Sequence, residues 1–215
     1  SYRAAAGNHG QTYASAVGGA GIGEDGDIVA WSHYYDATGE ERSFSADNDY
    51  SASTSGQGTA YIQGAQDNYD IGVSTEFQNF DFLFNARRGK MQEPFSSAGS
   101  TGQVYEESDY ETINGEEPGL GQENQHLRLG YEKALSDRFS MDVDVYTDRS
   151  QLVGNIIANP VTRQNLSLFW WDQDVGGIGN LNYSYDKGSV MVGGQVDWME
   201  VYDSFLATST DSTGT

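Results

Sequence analysis

The stretch SMDVDVYTD, residues 140–148, alternates apolar and polar positions: Met141, Val143 and Val145 against Asp142, Asp144 and Tyr146. Successive side chains of a strand point to opposite faces, so the pattern predicts a strand with one apolar and one acidic face. The same period recurs along the chain and groups into four hairpins. The first, about 11–35, runs out through YASAVGGAGIG and returns as IVAWSHYYD. Its turn falls in EDGD, where Asp25-Gly26 suits a tight turn because glycine accepts positive φ. The second, about 68–88, joins NYDIGVSTEF to FDFLFNARR at Gln78-Asn79, with Ile71, Val73 and Phe77 on one face going out and Phe80, Phe82 and Phe84 on one coming back. The third, about 126–148, pairs HLRLGYEK with FSMDVDVYTD across ALSDR; Leu127, Leu129 and Tyr131 alternate with Arg128, Gly130 and Glu132. The fourth, about 165–202, pairs NLNYSY with SVMVGGQVDWMEV across Asp186-Lys187-Gly188.

Long polar connections, about 36–60, 89–124 and 149–163, separate these hairpins. Strict alternation of short turns with long connections puts all the long ones at one end of the strands. Outer-membrane barrels have this arrangement, with short periplasmic turns and longer extracellular loops, whereas a soluble sandwich spreads long loops over both ends. The other face of the strands carries Glu76, Arg128, Glu132, Asp142, Asp144 and Asp197. A wet barrel lumen accepts such a face, and so does bulk water beside a soluble antiparallel sheet. The expected fold is all-β: an antiparallel meander of about 8–10 strands, read as a transmembrane β-barrel wall.

Composition supports packed β structure, with 13% aromatic residues, 27 Gly and only 3 Pro. Lys and Arg number 11 against 32 Asp and Glu, a formal charge of -21, which excludes nucleic acid as a natural partner because binding there needs cations to release counterions. Cysteine is absent, so there is no disulfide framework and no thiolate chemistry. No apolar run approaches the roughly 20 residues of a membrane-spanning helix, so any membrane crossing must use strands. The start, SYRAAAGNHGQTY, lacks the features of a signal peptide, and the end, LATSTDSTGT, is small and polar; both read as interior positions of a longer chain. The segment 11–18 is then expected to be a sheet edge that pairs with polypeptide outside residues 1–215.

GNHGQTYASAVGGAGIGEDGDIVAWSHYYDATGEE resembles the first barrel hairpin of TonB-dependent outer-membrane receptors, and QDNYDIGVSTEFQNFDFLFNARRGKMQEP, HLRLGYEKALSDRFSMDVDVYTDRSQ and YSYDKGSVMVGGQVDWMEV resemble hairpins that follow it. The resemblance covers most of the chain outside the loops and rests on pattern, with no diagnostic catalytic motif. It implies a 22-stranded barrel around an N-terminal plug, importing a scarce nutrient such as a siderophore-iron complex, cobalamin, haem or an oligosaccharide, with energy from an inner-membrane TonB-type partner. Residues 1–215 would be the N-terminal part of that barrel domain, without the plug itself, in contact with outer-membrane lipid, lipopolysaccharide, the plug and the rest of the wall. A small passive or adhesive barrel and a soluble glycan-binding β-sandwich are the alternatives.

Candidate chemistry is sparse. Glu106, Glu107, Asp109 and Glu111, followed by Glu116 and Glu117, could hold Ca²⁺ through carboxylate oxygens or form a solvated acidic loop. Trp170 and Trp171 could stack on a ligand or belong to an aromatic girdle at the membrane interface. Arg87 and Arg88, in RRGK, could meet lipopolysaccharide phosphates or an anionic ligand, or serve as strand-end charges. His9, His33 and His126 lack metal-ligand spacing and are expected as hydrogen-bonded strand residues. GGAGIG, residues 18–23, has Glu24 where a dinucleotide fingerprint needs its third glycine, and no helix follows. No nucleophile elbow, phosphate loop or paired-carboxylate arrangement nominates enzyme chemistry.

Overall fold

Period-two patterning and tight turns give eleven strands in the computed structural model, which describes residues 1–45, 57–62, 64–91, 119–159 and 164–210. In chain order they are β1 (Tyr2–Ala6), β2 (Thr12–Gly21), β3 (Gly26–Ala37), β4 (Glu40–Ser45), β5 (Gln57–Ile62), β6 (Ala65–Phe77), β7 (Phe80–Met91), β8 (Gly119–Ala134), β9 (Phe139–Asn159), β10 (Gln164–Tyr185) and β11 (Gly188–Thr210). Nine of them form one sheet in the order β1-β2-β3-β6-β7-β8-β9-β10-β11, with every neighbouring pair antiparallel. β4 and β5 make a separate two-stranded hairpin within the β3–β6 connection. The described residues contain no helix, and β1 and β11, at opposite ends of the sheet, are not paired with each other, so the sheet is open.

All four expected hairpins form, as β2–β3, β6–β7, β8–β9 and β10–β11. Their turns lie at one rim, tied to one another by backbone hydrogen bonds. Gln78 N–H donates to the Asp25 carbonyl at 3.0 Å, Glu132 N–H to that of Asn79 at 2.8 Å, and Ser184 N–H to that of Arg138 at 2.8 Å. At the opposite rim Gly39 N–H reaches the His9 carbonyl at 3.2 Å.

Four expectations are corrected. Positive φ in the first turn falls on Gly23 (65°), ahead of Asp25-Gly26. The stretch 149–163 is no long loop, because β9 continues to Asn159 and β10 begins at Gln164. The 36–60 connection holds the β4–β5 hairpin. The edge is also not at 11–18: Tyr2–Ala6 pairs with Ala16–Thr12, which makes β1 the edge strand. YRAAA escaped sequence reading because a run of alanines has no alternation to read.

Interior strands run directly opposite one another, so each register row keeps one face. Ile71, Val73 and Phe77 on β6 meet Ala86, Phe84 and Phe80 on β7; Phe80, Phe82 and Phe84 meet Tyr131, Leu129 and Leu127 on β8; Tyr131 and Leu129 meet Val143 and Val145 on β9. The predicted apolar residues therefore form one continuous face. Nothing described covers it. Leu129 and Val145, on strands flanked on both sides, are 44% and 51% exposed, and among the described residues the buried apolar ones are Ala37, Ala65 and Ala86. A sandwich core would require a second sheet against this face; among the described residues there is none.

Candidate functional site

Two features carry chemistry: the line on which the apolar face ends, and the hydrogen-bonded lattice on the opposite face. Moving from the turn rim toward the loop rim, the last row of the stripe across β8 to β11 is Leu127, Thr147, Val175 and Trp198, apolar at all but Thr147. The next positions on that face are Gln125, Arg149, Gln173 and Glu200, which lie on one register row. The boundary is a property of the sheet, since the two hairpins reach that row at different distances from their turns: Arg149 lies ten residues past the start of β9 and Glu200 twelve past the start of β11. On β10 the stripe from Val175 to Tyr183 spans about nine residues, close to the roughly 9–11 that a tilted strand needs to cross a bilayer. Aromatic residues mark its turn-side limit: Phe80 and Tyr131 have ring centroids 4.8 Å apart, and Phe139 and Tyr183 4.6 Å apart.

The opposite face is polar and cross-linked by hydrogen bonds between strands. Trp31 Nε1 donates to Asp70 at 2.7 Å, and Asn85 Nδ2 donates to the same carboxylate oxygen at 2.9 Å, linking β3, β6 and β7. Arg128 on β8 bridges Asp144 on β9 (Nε–Oδ1 2.7 Å) and Asp81 on β7 (Nη2–Oδ2 3.2 Å). His126 Nδ1 lies 2.6 Å from Asp148. Asp142 accepts from Asn180 at 2.6 Å and from Asn182 at 3.3 Å, both on β10. The Tyr146 hydroxyl on β9 donates to Asp197 on β11, and Gln195 Nε2 donates to the same hydroxyl at 2.9 Å.

Glycines make these reaches possible. Tyr146 spans β10 across Gly176, and the Trp31 ring lies over Gly72; a Cβ at either glycine would collide with the ring. One acceptor is left over: Asp174, directly opposite Asp148, has a buried Oδ1 with no hydrogen-bond partner among the described residues. Of the charged positions expected to face away from the apolar side, Arg128, Asp142, Asp144 and Asp197 belong to this lattice, and Glu76 and Glu132 stand opposite Asp81 and Asp142 on the same face.

The sequence candidates separate. Trp170 and Trp171 are neighbours on β10 and point to opposite faces, so they form no joint stacking platform; Arg87 and Arg88 on β7 are divided in the same way. Register places Arg88, Glu123, Gln151 and Trp171 on one row, one position beyond the boundary toward the loop rim. Trp171 packs on Phe169 (centroids 5.8 Å) and near Tyr202 (6.1 Å), in surroundings suited to a girdle. Glu106, Glu107, Asp109 and Glu111 lie outside the described residues. Among those described, no group of three or more His, Asp or Glu is arranged to hold a metal. His33 and His126 are strand residues with polar partners, as expected, whereas His9 sits in the β1–β2 turn with φ 58°. Sequence reading missed Arg149, Gln125 and Gln173, whose shared row depends on long-range register. It also missed the paired glycine and aromatic positions.

No family model matches the chain, and no curated protein or solved structure matches it.

Proposed function

We propose that this chain forms wall of an outer-membrane β-barrel of the TonB-dependent receptor type, importing a scarce nutrient such as a siderophore-iron complex, cobalamin, haem or an oligosaccharide. The observation that carries the reading is the uncovered apolar face, with its straight upper limit, set against a hydrogen-bonded polar face. Six strands, β6 to β11, about 4.8 Å apart and a stripe about nine residues tall make an apolar patch on the order of 1,000 Å², above the few hundred Å² usual for a soluble monomer. Each Leu, Val or Phe left in water would forfeit about 1.5–3 kcal/mol of burial, so an apolar medium has to meet this face. Lipid supplies that medium at the height the stripe spans. Strands of 21, 22 and 23 residues in β9, β10 and β11 are far longer than a bilayer requires and fit walls that rise above the membrane at the loop rim.

In this reading the polar lattice lines a wet lumen, where Asp174 and its neighbours face plug or solute, and the open edges at β1 and β11 join further wall. The resemblance of the hairpins to TonB-dependent receptors selects energised import over passive diffusion. Uptake of labelled ferric siderophores, cobalamin, haem and oligosaccharides is the test, in cells with and without the gene. For one of these solutes, deletion should lower uptake at least tenfold, and a protonophore should abolish the difference. Uptake that depends on the gene and is indifferent to the protonophore would establish the passive barrel instead.

A further inference from the structure

We propose that Arg149, packed against Trp171 and bonded to the Tyr202 hydroxyl, is a binding site for the phosphate of an anionic membrane lipid. The inference rests on the reading of the apolar face as lipid-facing. The Arg149 guanidinium carbon lies 5.1 Å from the Trp171 ring centroid and 5.8 Å from that of Tyr202, and the two rings are themselves 6.1 Å apart, so the planar group packs against Trp171 and meets Tyr202 at its hydroxyl end. One N–H is committed, from Nη2 to the Tyr202 hydroxyl at 2.6 Å. A guanidinium has five N–H donors in a fixed fork, which leaves donors in its plane for a second partner. In a chain with 32 acidic and 11 basic residues, it is notable that no described carboxylate lies within ion-pair distance of Arg149.

The cluster is built by a backbone irregularity. Register slips between Trp171 and Asp172: Trp171 pairs with Asp203 and Asp172 with Val201, which leaves Tyr202 as the extra residue of a β-bulge. The bulge brings a hydroxyl from β11 across β10 to an arginine on β9. A regular ladder would leave Arg149 without this partner.

Position identifies the ligand. Arg149 lies on the row where the apolar stripes of β8 to β11 end, with Gln125 and Gln173 on either side. A group bound there sits where acyl chains give way to headgroups. Stacking fixes the side-chain rotamers in advance, and the flat fork matches two oxygens of a phosphate better than a point charge would. Glu200 and Asp203, on β11 beside the cluster, restrict access by free anions, so an occupant anchored in the adjacent apolar layer is favoured over one arriving from water.

The test uses the full-length protein in zwitterionic micelles. It is titrated with phosphatidic acid, phosphatidylcholine or inorganic phosphate, and bound lipid is counted by native mass spectrometry. The wild type should hold one phosphatidic acid at a concentration at least tenfold below that needed for phosphatidylcholine. Arg149→Gln should abolish the preference, and Arg149→Lys should lose most of it although the charge stays. Arg138→Gln, at the far rim, should bind as wild type. Equal binding by wild type and Arg149→Gln would overturn the site, and equal binding by Arg149→Lys would overturn the stacked-fork geometry. Displacement of the lipid by millimolar inorganic phosphate would show a free-anion site and overturn the lipid assignment. A spin label at Val143, read for contact with lipid, tests the membrane reading separately. An unaffected Arg149-dependent preference beside a lipid-free Val143 would fail that reading alone.

Discussion

At the scale of single residues, the polar face is held by contacts that fail in distinguishable ways. Gly72 gives the Trp31 ring a surface to lie on while its Nε1 reaches Asp70, and a methyl group there would meet the ring directly. Gly72→Ala should therefore cost about 1–3 kcal/mol, as overpacking does, while Gly179→Ala, where nothing lies within 4 Å, should stay within about 0.5 kcal/mol. Urea unfolding of the two variants in the same micelle makes the comparison; equal stabilities would remove the ring contact from the account. Arg128 stands between two carboxylates, and its side chain is 41% exposed, so solvent screens the pairs. Arg128→Gln should cost about 1 kcal/mol, part of it the repulsion newly felt between Asp81 and Asp144. Adding Asp144→Asn removes that repulsion, so the double variant should be more stable than the sum of the single losses. Simple additivity would mean that the three residues act independently.

At the scale of strands, alternation is the variable to test. Val143 and Asp144 are neighbours on β9 that take part in different worlds: Val143 lies between Tyr131 and Gly179 on the apolar face, and Asp144 accepts from Arg128 on the other. Nitroxide labels at the two positions should differ, with 143 more accessible to oxygen and 144 to a water-soluble relaxant. Matching profiles would sink the two-faced wall. The same alternation explains what could be read in advance. Between the turn rim and the Gln125–Arg149–Gln173–Glu200 row, one face must be apolar and the other polar, so β6 to β11 announce themselves by period two. Beyond that row neither face has to be apolar. The upper part of β9, from Arg149 to Asn159, and the start of β10 therefore carry no contrast, and they read as loop. β4 and β5, in a stretch rich in Ser, Gly and Thr, were hidden for the same reason. The lattice was illegible on other grounds: which face Asp142, Asp144 and Asp197 share follows from local sequence, whereas the partners come from strands 16 to 51 residues away.

At the scale of the whole sheet, the edges dominate. β11 is 23 residues long and pairs only with β10, so along its outer side alternate residues present N–H and C=O groups that no described strand receives. Exposed groups of this kind are a template for pairing in water, and in hydrocarbon each would cost several kcal/mol, which is why membrane walls close. The turn-side half of β11 lies at the height of the apolar stripe, with Val192 and Val196 69% and 77% exposed. A bare edge there would combine the two least tolerable exposures in lipid, apolar side chains without neighbours and peptide groups without partners. On the reading of this sheet as membrane wall, the outward-facing amides from Val190 to Trp198 should consequently exchange with deuterium as slowly as those of β9, which is paired on both sides. Exchange resolved by residue would show uniform protection along this stretch if another strand covers the edge. An every-second-residue pattern of fast exchange would mean that β11 borders the wall unpaired, and the open sheet would then have to meet its surroundings without the continued barrel.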